Sequence, residues 1–363
     1  MTAARADVVV VGAGLTGLTC AVHLSLRGPK VRAAATDGTG YVGGRVARGL
    51  DRALDALVVP GYTRVGHAVR RRGWARDDPR PGALRGRVAL VTGAGSGLGK
   101  ASAEGLAALG AQVHLVVRTP AKGEDAAAEV RRAVPGADVV VDRCDVSDPS
   151  SVRDFVRALD APQVHVLVHN AGVMPPERLE SADGHELTLA THVLGPLLMT
   201  ELLRPRLAAA GRARVVIVSS GGMYSARLPA GDPEFVRSRA GDYDGTRAYA
   251  RTKRMQVALA PMMQERWAAD GIAVHTMHPG WADTPGVLTA LPGFAKVVGP
   301  LLRAPAAGAD TVVWLAATEP PPGGGQFWQD RAPRPEHWLG LLREEPGDVD
   351  RLWAYVLDAV GLD

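Results

Sequence analysis

From residue 84 onward, short apolar runs alternate with longer stretches of mixed polarity. The short runs, rich in Val and Leu, predict strands near 87–91, 112–117, 138–142, 164–169, 214–219, 273–277 and 326–328. The intervening stretches predict helices near 97–110, 121–133, 149–159, 186–208, 246–268 and 307–317. Strands that read as unbroken apolar runs are buried on both faces, and strand–helix alternation implies parallel pairing. The expected fold class is therefore α/β, a Rossmann-type doubly wound parallel sheet of about seven strands. The Pro/Gly-rich run 319–325 reads as a loop.

The N-terminal residues repeat this pattern once, on a smaller scale. A short apolar run at 8–11 enters a glycine loop, a helix-like stretch follows at 18–26, and a weak strand at 31–35 closes a partial βαβ segment. A unit of that size cannot cover both faces of a sheet by itself. The expected division is a partial βαβ segment over 1–51, a basic connector over 52–83 ending in a turn-rich stretch, and the main domain over 84–363.

Composition narrows the classes. The chain has 363 residues, 46% hydrophobic and 22% charged, which suits one large domain with an appendage. Its two cysteines, Cys20 and Cys144, form neither a disulfide framework nor a metal-ligand cluster. A reducing compartment, cytoplasmic localisation and no metal are expected. Glycines break the apolar run at 8–11, so neither a signal peptide nor a membrane span is read there. The net charge of +4 is spread along the chain, so no nucleic-acid partner is expected. One basic cluster, Arg70, Arg71 and Arg72 near Trp74 and Arg76, has the character of a membrane-surface contact, although a solvated connector is the preferred reading.

The candidate chemistry begins at a second glycine loop, Thr92 to Gly99. A glycine loop between a strand and a helix offers backbone N–H groups and a helix N-terminus to an anion. Gly93, Gly97 and Gly99 permit the tight turn and close backbone approach. Arg118 ends the second strand, where a basic residue suits the 2′-phosphate of NADP and an acidic one the ribose hydroxyl of NAD. Asp145 follows the third strand, placed to accept from an adenine amino group. Asn170-Ala171-Gly172 follows the fourth, at the carboxyl edge of the sheet. Tyr249 and Lys253 share one helix face, and an ammonium beside a phenol favours the phenolate. Ser220 ends the fifth strand, placed to orient a substrate oxygen.

Taken in this order, residues 84 to about 330 resemble the short-chain dehydrogenase/reductase family. The motifs are TGxxxGxG (Thr92 to Gly99), NAG (Asn170 to Gly172), a strand-end serine (Ser220) and YxxxK (Tyr249 to Lys253). A Pro-Gly element, Pro279-Gly280, with Thr284 four residues on, completes the set. The resemblance implies hydride transfer between a nicotinamide and a carbonyl or alcohol. Ser220, Tyr249 and Lys253 would be catalytic. Gly93, Ser96, Gly97, Leu98, Gly99, Arg118, Asp145, Val146, Asn170, Ala171, Gly172, Tyr249, Lys253, Pro279, Gly280 and Thr284 would hold the cofactor. It also implies an association of subunits through the helices around the Tyr–Lys pair. Two positions depart from the pattern. His169 precedes the NAG element where the family often has asparagine. His192 stands where a family asparagine completes a water-borne proton relay, and it either substitutes in that relay or packs as an ordinary helix histidine.

NADP(H) is the expected cofactor, NAD(H) less so. The expected partner is a fairly apolar small-molecule carbonyl or alcohol. It would lie under a lid formed by the 221–248 interval, Trp281, residues 285–294 and Phe327. A second reading keeps the fold as a nucleotide-binding regulatory or interaction module with weak catalysis. A third reading is a flavin-dependent oxidoreductase, since Gly12 to Gly17 and Gly43-Gly44-Arg45 resemble the start of flavin amine oxidases. That likeness stops near residue 47, and Asp37 and Ala35 compete for the ribose-binding position. A working FAD site is not expected.

Overall fold

The computed structural model describes residues 45–236, 243–283, 296 and 298–362. The partial βαβ segment and its FAD-like glycines, Gly12 to Gly44, lie outside the described residues. The strands are β1 (Val88–Thr92), β2 (Gln112–Val117), β3 (Val139–Arg143), β4 (Val166–His169), β5 (Ala213–Val218), β6 (Ile272–Met277), β7 (Gln326–Gln329) and β8 (Ala332–Pro333). They form one sheet in the order β3-β2-β1-β4-β5-β6-β7-β8, parallel except for the antiparallel β7–β8 pair. The expected doubly wound α/β sheet is thus present, with a two-residue eighth strand added at one edge.

Alternate strand residues supply two cores, which is why each strand reads as an unbroken apolar run. Ala89, Val91, Val113, Leu115 and Val216 pack on one side with α4 (Gly97–Ala108), α5 (Pro120–Ala133) and α10 (Pro305–Ala317). Leu90, Leu167, Val215 and Val274 pack on the other with α6 (Pro149–Ala158), α8 (Gly195–Ala209), α9 (Gly245–Trp267) and α11 (Asp348–Val360). Truncating a fully buried member such as Leu167 would cost about 2–5 kcal/mol. The helix expected over 186–208 is not uniform. A single turn, α7 (Leu187–Leu189), widens into a π-helical turn at Ala190–Leu194 before α8 begins. At the junction, a Cβ on Gly195 would lie 1.8 Å from the carbonyl oxygen of Val146, so only glycine lets this helix approach the loop after β3.

Residues 45–71 fold as three helices, α1 (Arg45–Ala56), α2 (Val58–Tyr62) and α3 (Arg64–Arg71). Arg70 corrects the reading of the basic cluster as a solvated connector, because it is 2% exposed. It donates to Asp330 at 2.7 Å, Asp51 at 2.7 Å and the Gly61 carbonyl at 2.8 Å. Arg303 approaches from the other side, bidentate on Asp330 at 2.6 and 2.9 Å and also bonded to Gly61 O at 2.8 Å. Arg334 holds Asp51 through both terminal nitrogens. The two arginines beside Asp330 hold its carboxyl well below the usual carboxylate range, against the opposing effect of burial. Lone charges this deep would be expensive; paired and multiply bonded, they bolt the three helices to the β7–β8 edge.

Candidate active site

The glycine loop after β1 sits beside the switch point where the strand order reverses, between β1 and β4. Gly93 and Gly97 have φ of +67° and +55°, in the left-handed region that glycine tolerates. A Cβ on Gly99 would lie 2.4 Å from Gly93 O and 2.5 Å from the Asn170 amide nitrogen. The loop is therefore packed too closely for side chains. Asn170 fastens it, donating from Nδ2 to Thr92 O at 3.0 Å and Gly93 O at 3.3 Å. Thr92 Oγ1 accepts from the backbone N–H groups of Asn170 and Ala171 at 3.0 and 3.1 Å. Ser96 precedes α4 and is exposed, and no side chain caps that helix, so the N–H groups of its first turn have no side-chain partner. This is a cradle for an anion.

Arg118, exposed just past β2, lies 4.0 Å from Asp145, which follows β3. Asp145 Oδ1 is occupied locally, accepting from the Ser147 N–H and hydroxyl at 3.0 and 2.7 Å. The adjacent Val146 is buried. Four separately predicted elements, the glycine loop, Arg118, Asp145-Val146 and Asn170-Ala171-Gly172, thus converge on one sheet edge.

Ser220 follows β5 and begins a short 3-10 turn over Gly221–Ser225, its Oγ accepting from Gly222 N–H at 3.2 Å. Asp244 caps α9 through the N–H groups of Thr246 and Arg247, and one turn in come Tyr249 and Lys253. The neighbouring Ser219 ties β5 to this helix, donating to Lys253 O at 2.9 Å. Lys253 is buried; its Nζ donates to Val218 O at 2.7 Å and lies 5.4 Å from the Tyr249 ring centroid. Burial lowers it to about 7. Burial holds Tyr249 above its ordinary value, and a hydrogen bond with the Ser220 hydroxyl acts in the lowering direction.

His192 occupies the π-helical turn. Its Nε2 accepts from the Val173 N–H at 3.1 Å, so the ring proton is on Nδ1, which faces Thr252 Oγ1 at 2.8 Å. Gln256 donates to the His192 carbonyl at 2.7 Å. Burial and the Lys253 charge keep the ring neutral. Both ring nitrogens thus have protein partners in this geometry. The ring braces the NAG turn against α9 and rests edge-on against Tyr249, with centroids 5.3 Å apart.

The packing of Tyr62 next to Ser220 is not predicted by the sequence. Tyr62, at the end of α2, is buried against Gly221: a Cβ there would lie 2.7 Å from Tyr62 Cε2. The Tyr62 ring meets His278 at 4.4 Å and Trp281 at 5.9 Å, both edge-to-face. Its carbonyl accepts from the Trp281 N–H at 2.8 Å. Gly280 has φ +72°, and its N–H donates to His278 Nδ1 at 2.9 Å, while Pro279 O accepts from Arg303 at 3.2 Å. The Pro-Gly element is thus fixed by the same buried arginine that holds Asp330. The single sequence signal was the glycine before Tyr62. A Cβ on Gly61 would lie 2.1 Å from Leu54 O, a close approach of α1 and α2 that no local pattern reveals.

The lid expectation is corrected in part. Phe327 is 2% exposed, packed with Met223 and Val257 beneath the site, because β7 is an interior strand capped by β8. Within the interval after Ser220, Leu228 and Phe235 are buried and Arg251 lies over the Phe235 ring at 4.0 Å, so the described part up to residue 236 is anchored at these points; residues 237–242 lie outside the described residues. Thr284 and residues 285–294 lie outside the described residues. Among the described residues no group of His, Cys, Asp or Glu is arranged to hold a metal ion, and no helix is long and apolar enough to cross a membrane. Cys144 is buried, its thiol pushed up to about 12.

Comparisons with known proteins agree with this geometry. The family model for short chain dehydrogenase matches residues 87–229. The human protein dehydrogenase/reductase SDR family member 12 is 41% identical over 278 residues, covering 74% of this chain and 84% of that protein. A solved structure of an uncharacterized protein from Mycobacterium paratuberculosis aligns with a TM-score of 0.61 at 28% identity, covering 77% of this chain and 94% of the other. A structure described as an NAD(P)-dependent gluconate 5-dehydrogenase from Beutenbergia cavernae, with NADP bound, aligns at 0.54 and 25% identity, covering 71% and 99%. A nicotinamide cofactor and an oxidoreductase activity follow from the family and from such neighbours. The chain belongs to the short-chain dehydrogenase/reductase family.

Proposed function

We propose that this enzyme is an NADP(H)-dependent oxidoreductase acting on an apolar carbonyl or alcohol, with Tyr249 as the acid/base. The observation that carries the reading is the meeting of Ser220 and Tyr249 at the same sheet edge as the glycine cradle. The cradle fits a dinucleotide: close-packed glycines, an uncapped helix N-terminus and Asn170 holding the loop are what a pyrophosphate needs. The bound nicotinamide would supply or accept the hydride. Gly93, Gly97 and Gly99 would hold the phosphates, and Arg118 the 2′-phosphate, its guanidinium exposed at the end of β2.

In the direction of reduction, the Ser220 hydroxyl orients the substrate oxygen and Tyr249 gives it a proton from the phenolic oxygen. Burial keeps that phenol protonated at neutral pH. Lys253, near neutrality in its own ionisation, can carry charge or lose it as the phenol changes state. Tyr62 and Trp281, set on the Ser220 side, favour an apolar substrate.

The test is NADPH consumption with a panel of apolar aldehydes and ketones, comparing the native enzyme with Tyr249→Phe. Turnover is expected to fall about 10²–10⁴-fold while NADPH affinity is kept. Equal turnover by the variant would remove Tyr249 from the chemistry.

A further inference from the structure

The three N-terminal helices turn their acidic side chains and Arg70 inward, and present their other described arginines and several apolar side chains outward. On α1, Asp51, Leu54 and Asp55 face the protein, where Asp51 and Asp55 meet the buried guanidiniums of Arg70 and Arg334. Leu50, Ala53 and Leu57, spaced three and four apart, are exposed on the opposite face. On α3, Gly66, His67 and Arg70 face inward, whereas Arg64, Val65, Ala68 and Arg71 face outward, with Arg72 following. Leu50, Leu57, Val59 and Val65 are 49%, 45%, 49% and 49% exposed, which puts four of the eight exposed large apolar side chains of the described residues within sixteen positions.

Between residues 49 and 72 the exposed charges are Arg52, Arg64, Arg71 and Arg72, and no acidic side chain is exposed. None of these four forms an ion pair among the described residues. A patch that is both apolar and purely cationic matches one chemistry closely. The headgroup region of an anionic bilayer offers negative charge at its surface and hydrocarbon just beneath. A second copy of this chain would set arginine against arginine across a two-fold interface, which disfavours self-association through this face.

We infer that the outward face of α1–α3 docks this enzyme peripherally on anionic membranes, with Leu50, Leu57, Val59 and Val65 entering the headgroup boundary and the four arginines pairing with phosphates. The inward face of the same helices carries Tyr62 to the catalytic serine's neighbour, so the docking face and the substrate wall are two sides of one unit. An apolar substrate held in the bilayer would then meet the enzyme at the surface where it is stored.

The experiment is flotation of the full chain with unilamellar vesicles of phosphatidylcholine alone or with 30% phosphatidylserine, in 0.1 and 0.5 M salt. Binding is expected on the phosphatidylserine vesicles, weaker by at least tenfold on phosphatidylcholine alone, and weakened by salt. Removing each arginine should weaken it about fivefold, so Arg64→Glu with Arg71→Glu and Arg72→Glu should abolish detectable flotation. Leu50→Ser with Leu57→Ser should weaken binding at both salt concentrations, including the higher one where charge is screened. Thermal unfolding of each variant, expected within about 2 °C of the parent because these side chains are exposed, separates lost docking from lost folding. No flotation of the native chain at 0.1 M salt overturns the inference. So does flotation that the triple-glutamate variant retains, or capture by immobilised polyglutamate without flotation, which would assign the face to an acidic protein. NADPH binding by the same samples reports separately on the oxidoreductase reading.

Discussion

The two halves of the site are built in opposite ways. The nucleotide half, around β1, β2 and β4, is held by short-range backbone contacts: glycines at positive φ and an asparagine bonded to the loop it faces. The Tyr62 half, around β6 to β8, is held by buried charges brought together from far apart. Arg70 and Asp330 are 260 residues apart in the chain, and Arg303 completes the pair. The comparison teaches where each half is vulnerable. The first fails on added volume; the second tolerates neither loss nor neutralisation of one partner.

The largest effect should come from the second half. Asp330→Ala leaves Arg303 buried without its counter-ion and Arg70 with Asp51 alone, at a cost of about 3–5 kcal/mol and a loss of roughly 10 °C in Tm by calorimetry. A shift of under 2 °C would mean that the clamp is not holding the edge. Because Asp330 is depressed below its unfolded value near 4, its contribution is complete above that pH and is lost only as the pH falls towards its folded value. The clamp should therefore survive mild acid.

Lys253 gives the opposite sign. Its unfolded value is about 10.4 and its folded value about 7, so between these pH values the unfolded chain binds more protons. Stability of the cofactor-free enzyme should rise with pH across that window, and Lys253→Met should flatten the rise. Urea unfolding at pH 7, 8.5 and 10 measures it; a slope unchanged by the substitution would place the shifted group elsewhere.

In the nucleotide half, Gly99→Ala places a methyl group 2.4 Å from a backbone oxygen. A cost of about 1–3 kcal/mol in stability is expected, with a parallel loss of NADPH affinity because the loop must move. Full NADPH affinity in a folded Gly99→Ala protein would separate the loop from the cofactor.

The same contrast explains what could be read from the sequence. The sheet and its connections were legible because strands buried on both faces announce themselves as apolar runs. The glycine loop, Asn170, Ser220, Tyr249 and Lys253 were legible because each sits at a strand end or one helical turn from another. Three features were not. The π-helical turn at His192 runs into Gly195, whose close approach to Val146 is a tertiary contact. Phe327 reads like a surface aromatic until β8 is seen to cover its strand. The role of Tyr62 depends on Arg70, which in sequence is one of three consecutive arginines with nothing to mark it as the buried one. Period and spacing carry local geometry; they do not carry which charges meet across the molecule.

The most direct test of the cofactor assignment is titration of NADPH and NADH into the native enzyme and into Arg118→Asp, followed by tryptophan fluorescence. NADPH is expected to bind more tightly than NADH to the native protein. Arg118→Asp is expected to weaken NADPH about ten- to a hundredfold while leaving NADH nearly unchanged. Equal affinities in the native protein, or an NADPH affinity indifferent to Arg118, would contradict that assignment.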